Sequence, residues 1–310
     1  MHKINVAVIG VGHLGEIHAR IYSELPHTNL VGVCDINKDR LDKVCALLNV
    51  EGSTDYRDFF SKVEAVSIAT PTKSHFEVAR DFLKQGIHIL VEKPFTSELK
   101  QADALIRLCK QKNLILQVGH IERFNSAFAA TRNIIQEPKF IECHRLSPFT
   151  GRSIDVGVTM DLMIHDIDIV LGLVNSPVKR IDAVGAKILT HFEDIANARI
   201  TFENGCVCNL TASRVSDESM RKIRIFMKNA YISLDYRNEE ANIYRKVDSS
   251  ITKEKLPIEK EQPLQKELSS FIECVAAKKE PLVNGPVARQ ALAVALNIQK
   301  KIWHSSIPSS

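Results

Sequence analysis

The 310-residue sequence has no long hydrophobic run. No stretch approaches the roughly 20 apolar residues that a membrane-spanning helix needs. After Met1-His2-Lys3 comes only the short run Ile4–Ile9, without the longer apolar core and cleavage site of a secretory signal. A cysteine framework is also missing. The seven cysteines, Cys34, Cys45, Cys109, Cys143, Cys206, Cys208 and Cys274, are scattered and odd in number, which fits a reducing compartment better than a disulfide scaffold. Cys206 and Cys208 are too close for a redox Cys-x-x-Cys, and on a strand their thiols would share one face as packing residues. Charge of one sign is not in large excess: 41 Lys and Arg stand against 37 Asp and Glu, a formal net charge of +4. That argues against a dedicated nucleic-acid binder, whose cations gather in patches or stripes. No internal repeat or low-complexity tract is present. These absences predict a cytoplasmic, soluble protein with neither a membrane nor a nucleic acid as partner.

With 45% hydrophobic and 25% charged residues, the composition is that of a globular protein, and the length favours two domains. Residues 1–119 alternate strand and helix. The apolar run Ile4–Ile9, interrupted only by Asn5, reads as a buried parallel strand. Leu14, Ile17, Ile21 and Leu25 follow at helical spacing. Strands are expected at 30–34, 65–69, 87–91 and 114–118, with helices at Lys38–Leu48, 74–85 and 98–111. Repeated β-α-β units imply a doubly wound parallel sheet, an α/β Rossmann domain. In residues 120–310 the texture changes. A helix at 125–136, a strand at 139–146 and a long helix at 160–173 come first. They are followed by strands at Val178–Ala186, Ile195–Phe202, 206–213, 221–227 and 230–236. Asn204-Gly205 is a strong hairpin-turn signal. Strands in succession predict an α+β domain with a largely antiparallel open sheet. Residues 248–265 are charged and contain proline, so an exposed loop is expected there, and helices at 265–277 and 287–303 close the chain.

Gly10-Val11-Gly12-His13-Leu14-Gly15 is a G-x-G-x-x-G that follows a strand and opens a helix, with Asp35 about 20 residues on at the end of the next strand. Gly10 allows the tight turn, Gly12 lets backbone approach a pyrophosphate, and Gly15 allows close helix–strand packing. The free N–H groups of the helix start suit phosphate. A carboxylate at Asp35 suits ribose hydroxyls and repels a 2′-phosphate, so NAD is expected over NADP, with Lys38 and Arg40 near enough to soften the preference. Lys93, in Val91-Glu92-Lys93-Pro94, follows a strand end and is directed at the nicotinamide region, where it could stabilise an alkoxide. Proline after it raises the prospect of a cis bond. On the apolar helix near residue 165, Asp161, His165 and Asp168 form a polar stripe. A histidine there suits proton abstraction near neutral pH, with Asp161 as its orienting partner or a substrate ligand. A helix-stabilising Asp-His pair and a metal site are the alternatives, and no metal is expected. Ala69-Thr70-Pro71 with His75, and Gln117-Val118-Gly119-His120 with Glu122 and Arg123, line either the cleft or a linker. Arg145, Arg152 and Arg214 are candidates for an anionic substrate.

Gly10–Gly15 with Glu16, His18 and Arg20, Ala69-Thr70-Pro71 with His75, Glu92-Lys93-Pro94, and Asp161 with His165 together resemble the Gfo/Idh/MocA family of oxidoreductases, over nearly the whole chain. The resemblance implies a Rossmann domain joined to an α+β domain whose sheet mediates homodimer or homotetramer assembly. It also implies transfer of hydride between a ring hydroxyl of a sugar or polyol and a nicotinamide. Lys93 and His165 match the family's catalytic Lys and His, with His165 taken as base and Lys93 as alkoxide stabiliser. The implied cofactor-binding residues are Gly10, Gly12, His13, Leu14, Gly15, Asp35, Ala69, Thr70, Pro71, His75, Glu92, Lys93 and Gln117. The run Gly119–Asn125 and the compact length resemble the UDP-sugar dehydrogenases of this family, with His120, Glu122, Arg123 and Arg152 as substrate candidates. A dehydrogenase of a free polyol such as inositol and a non-catalytic NAD-binding regulator are the alternatives.

Overall fold

The computed structural model describes residues 3–151 and 156–305. It divides into two compact units, and the division is not sequential. One unit comprises Met1–His120 and Leu264–Arg289, the other Ile121–Pro263 and Gln290–Ser310. Residues 264–289, expected in the second domain, thus belong with the first. The physical reason is visible at the last strand of the first unit. There Val118 donates its N–H to the Val283 carbonyl at 3.0 Å and Gln117 bridges to Asn284, so the returning chain covers an open sheet edge.

The first unit is built on a parallel sheet of β1 (Ile4–Ile9), β2 (Thr28–Cys34), β3 (Glu51–Ser53), β4 (Ala65–Ile68), β5 (His88–Glu92) and β6 (Leu116–Gly119), in the order β3-β2-β1-β4-β5-β6. Helices α1 (His13–Glu24), α2 (Lys38–Leu48), α3 (Thr72–Lys84) and α4 (Leu99–Lys112) form the crossovers. Strands β4 and β5 are almost fully buried, which is why their sequences run apolar without alternation. The expected α/β doubly wound domain is what forms. Helix ends obey local chemistry. Asn37 caps α2 by accepting the Arg40 N–H at 2.9 Å, and α2 and α4 stop at Asn49 and Asn113, both with φ 53°, where asparagine tolerates left-handed backbone. The core on one face joins Val6, Val8, Tyr22 and Val33 to Phe271 and Ile272 of the returning helix α7 (Pro263–Ala277).

The second unit holds an eight-stranded sheet in the order β14-β13-β12-β11-β7-β10-β9-β8. The strands are β7 (Phe140–Leu146), β8 (Val178–Ala186), β9 (Ile195–Phe202), β10 (Val207–Ser213), β11 (Met220–Phe226), β12 (Ala230–Asp235), β13 (Glu240–Val247) and β14 (Ser250–Lys255). Every pairing is antiparallel except β7 with β10, so the sheet is largely antiparallel as expected. The expected loop at 248–265 is corrected: its first part is the edge strand β14, paired with β13. Alternation is clean along the central strands. Ile141 and Cys143 of β7, Ile223 and Ile225 of β11, and Ile232 and Leu234 of β12 are buried, with their neighbours half-buried or exposed. Helices α5 (Ser126–Arg132), α6 (Ile164–Val174) and α8 (Gly285–Ser305) complete the chain, the last beginning in the first unit. The helix expected from residue 160 does not run uninterrupted. Thr159–Met163 form a π-helical turn that leads into α6. All seven cysteines are free. Among the described residues no helix is long and apolar enough to cross a membrane.

Candidate active site

In the first unit the order of strands reverses between β1 and β4, and such a switch point opens a crevice beyond the strand ends. Gly10, directly after β1, has φ +87°, and a Cβ there would stand 2.8 Å from the Thr70 nitrogen and 2.9 Å from the Ala69 carbonyl. A Cβ on Gly15 would stand 1.8 Å from the Gly10 carbonyl oxygen, so α1 can lie against the turn only without a side chain. Gly12 is different. Its virtual Cβ meets only the tip of Arg40 at 3.8 Å, so the space in front of it is open. As N-cap of α1, Gly12 has no side chain to satisfy the first N–H groups of the helix, which begins at exposed His13 and half-buried Leu14. These observations fit a dinucleotide pyrophosphate.

A cleft of about 560 Å³ runs from this turn, lined by Gly10, Gly12, Asp35, Ile36, Asn37, Arg40, Ala69, Thr70 and Pro71. The Asp35 carboxylate accepts the Val11 N–H at 2.9 Å and the Asn37 N–H at 2.8 Å, which ties the end of β2 to the glycine turn. Arg40 lies 3.5 Å from the same carboxylate, so the softening expected of it has a geometric basis. Ile36, 91% exposed, offers the cleft an apolar platform. His75 is buried, with Nδ1 2.9 Å from the Pro94 carbonyl and Nε2 2.8 Å from the Thr70 carbonyl. It therefore ties the segment after β4 to the segment after β5. Burial pushes its pKa below the ordinary histidine value, against the pull of those two carbonyls.

Lys93 leaves the end of β5 half-buried, and its bond to Pro94 is cis. Glu92 is engaged inside its own unit. Its carboxylate is buried, 3.3 Å from His18 Nε2, and also accepts the Lys93 N–H at 3.3 Å. Gln117 is fully buried and donates its amide to the Glu267 carbonyl on α7 at 3.1 Å. Two residues expected at the cofactor thus have side chains engaged with the interior of their own unit. His120, at the end of this unit, is buried.

In the second unit Asp161 lies half-buried within the π-helical turn and His165 is 9% exposed at the start of α6. π-Turns inside helices recur at functional sites because they rotate the residues around them. Two ion-pair sets anchor this helix. Arg145 of β7 donates from Nε and Nη2 to Asp166 at 3.0 and 2.9 Å and from Nη1 to Glu122 at 2.7 Å. Burial works against its charge, but Asp166 and Glu122 more than compensate and hold its pKa well above the usual arginine value. Arg123 grips Asp168, donating from Nε to one carboxylate oxygen at 2.5 Å and from Nη2 to the other at 3.1 Å. Gly172 leaves room for that guanidinium, since a Cβ would come within 2.2 Å of it. The expected stripe of Asp161, His165 and Asp168 therefore divides: Asp168 is committed to Arg123. Glu122, Arg123 and Arg145, all considered for substrate, have their charges matched inside the unit. Arg214 donates to the Val156 carbonyl at 2.6 Å and lies 3.9 Å from Asp194. Arg152 lies outside the described residues.

The sequence alone did not point to the partnership of Glu92 with His18, or to Ser67, whose hydroxyl is 2.7 Å from His18 Nδ1. A signal did exist. Gly15, His18 and Tyr22 recur at helical spacing on the inward face of α1, and a histidine there must find polar partners.

Comparison with known proteins accords with this geometry. Residues 4–120 match the model of the oxidoreductase family with an NAD-binding Rossmann fold, and residues 117–233 match the Gfo/Idh/MocA C-terminal domain. The chain is 38% identical over 306 residues to UDP-N-acetylglucosamine 3-dehydrogenase of Acidithiobacillus ferrooxidans, covering 96% of this chain and 97% of that protein. The crystal structure of that dehydrogenase superposes with a TM-score of 0.93, over 97% of this chain and 98% of that one. The scyllo-inositol 2-dehydrogenase of Bacillus subtilis is 29% identical over 234 residues, 69% of this chain and 68% of that protein. The chain belongs to the Gfo/Idh/MocA family of NAD-binding Rossmann oxidoreductases.

Proposed function

We propose that this protein oxidises the 3-hydroxyl of UDP-N-acetylglucosamine with NAD as hydride acceptor. One observation carries the substrate assignment. The likeness to a UDP-N-acetylglucosamine 3-dehydrogenase is 38% identity over 96% of the chain, whereas the inositol dehydrogenases of Bacillus subtilis and Thermotoga maritima reach 29% over 69% and 23% over 96%.

Gly10, Gly12 and Gly15 with the first turn of α1, including His13 and Leu14, would hold the pyrophosphate. Asp35 would hold the adenosine ribose, with Ile36 against the adenine. Ala69, Thr70, Pro71 and His75 would shape the cleft toward the nicotinamide. Bound NAD would supply a nicotinamide ring that accepts the hydride, and with it both electrons. The imidazole of His165 takes the proton of the 3-hydroxyl as the C3–H bond breaks, and Asp161 orients that imidazole or a sugar hydroxyl. The ammonium of Lys93 stabilises the alkoxide oxygen as it becomes a carbonyl. The preference for NAD over NADP rests on the carboxylate of Asp35. We further propose that the protein works in the cytoplasm as a homodimer or homotetramer joined through the open face of the sheet in the second unit. The row of aromatic side chains there supports that reading. Phe140, Phe226, Tyr231 and Tyr244 come from four neighbouring strands, with centroid separations of 5.7, 5.2 and 4.2 Å.

The test is turnover of purified protein with NAD and UDP-N-acetylglucosamine, read as NADH absorbance with a trap for the keto product. Free N-acetylglucosamine and scyllo-inositol run in parallel. Turnover confined to the UDP sugar is expected. Turnover of inositol alone would overturn the substrate, and NAD binding without turnover of any of them would favour a regulator.

A further inference from the structure

The side chain of Glu92 is buried in the first unit (9% exposed), next to the lysine to which the proposed chemistry is assigned. A carboxylate so placed needs partners, since an isolated buried charge is very costly. The fold supplies two: the Lys93 N–H and the imidazole of His18, both at 3.3 Å. It also supplies space. Gly119 lies opposite Glu92 in the β5–β6 register, and a Cβ there would stand 2.6 Å from the carboxylate. His18 is itself fully buried, and its other ring nitrogen is 2.7 Å from the Ser67 hydroxyl on β4. The Tyr22 phenol, one turn further along α1, is buried near the same Ser67. Ser67 meets His18 at Nδ1, and the opposite ring nitrogen, Nε2, faces Glu92 at 3.3 Å. None of these four side chains has a part in the proposed chemistry.

We propose that His18 is a positioning residue for the hydride transfer. Through Glu92 it fixes the backbone from which Lys93 projects, and so sets where the ammonium stands. The inference rests on the reading of Lys93 given above. It also joins two ends of one site, because His18 lies on the helix whose first turn faces the dinucleotide cleft. A shift of about 1 Å in a positioned group costs on the order of 100-fold in rate, so support beneath Lys93 is worth a measurable factor.

The test uses His18→Asn and His18→Gln beside Lys93→Met, with NAD and UDP-N-acetylglucosamine. Glutamine is long enough to present an amide N–H to Glu92, while asparagine reaches only toward Ser67. Lys93→Met is expected to lose turnover and keep NAD binding. If it retains turnover, the reading of Lys93 itself falls, and the positioning claim with it. If Lys93→Met is dead, His18→Asn is expected to lose about 10- to 100-fold in kcat, with KM and the NAD dissociation constant within about threefold of wild type. His18→Gln is then expected to recover most of that loss. Wild-type kcat in His18→Asn would overturn the proposal, as would equal losses in both variants that track their thermal stability. Ser67→Ala, a smaller change, decides the matter if the His18 variants do not fold. A several-fold fall in kcat with NAD affinity kept supports the proposal, and an unchanged kcat overturns it.

Discussion

Asp35 shows how much one side chain can be asked to do. Its carboxylate holds the glycine turn through the Val11 N–H, holds the start of α2 through the Asn37 N–H, and lines the cleft where a ribose would lie. Arg40, 3.5 Å away and half exposed, offsets part of its charge. The proposed preference for ribose hydroxyls rests on this balance, because a 2′-phosphate would meet a carboxylate that the backbone holds in place. Asp35→Ser is therefore expected to lower the ratio of kcat/KM for NAD to that for NADP by at least about tenfold, through relief of repulsion. An unchanged ratio in steady-state assays would contradict the role. The position of Asp35 was legible in the sequence because the spacing from Gly10 fixes it at a strand end. The reach of Arg40 was visible only as proximity, since a sequence does not specify rotamers. The same limit applies to Glu92 and Gln117. Their places near the cleft could be read from motifs, but the direction of each side chain depends on His18 and on α7, which are distant in sequence.

Among the elements, those with a continuous apolar run, as at β1, or one strongly patterned face, as at α2, β8 and β9, were legible nearly to the residue. Edge strand β14 was not. All six of its residues are exposed, so its sequence carries no alternation, and its lysines and glutamate are what an edge uses to discourage further pairing. The π-turn before α6 also left no signature, because apolar residues surround it on most sides. The loop after β8 is organised by one carboxylate. Asp194 accepts the N–H groups of Ile188, Leu189 and Thr190 at 2.8, 2.6 and 2.8 Å and the Thr190 hydroxyl at 2.7 Å. Burial would raise its pKa, but these donors, Thr190 first, bring it down to about 2. The sign of the linkage follows. The folded pKa lies below the unfolded value of about 3.9, so the stability it confers is fully present above that value and is lost as pH falls toward 2. Asp194→Asn is expected to cost about 2 kcal/mol at pH 7, since charge-assisted hydrogen bonds are lost. The difference from wild type should narrow in thermal melts taken near pH 2.5. An equal difference at both pH values would show that the charge is not what matters.

For the whole molecule, the order of units along the chain is simpler in sequence than in space. Periodicity revealed two domains and their fold classes, but nothing local to residues 264–289 says that they return to the first unit and cover the edge at β6. The sheet of the second unit poses the complementary problem of a face whose aromatic row, Phe140, Phe226, Tyr231 and Tyr244, is only half-buried. If a second copy covers that row, Tyr231→Asp together with Tyr244→Asp should convert the assembly to monomer by light scattering coupled to gel filtration. Wild-type oligomers in that variant would place the interface elsewhere.

The central claim is that hydride leaves C3 of UDP-N-acetylglucosamine for the nicotinamide ring. It is tested most directly with UDP-N-acetylglucosamine carrying deuterium at C3, incubated with the protein, NAD and a carbonyl trap. Mass spectrometry of the reduced nicotinamide then gives the answer. The account predicts reduced cofactor one mass unit heavier, formed by wild type and not by His165→Ala. Unlabelled reduced cofactor would mean that another position is oxidised, and none at all would contradict the activity itself.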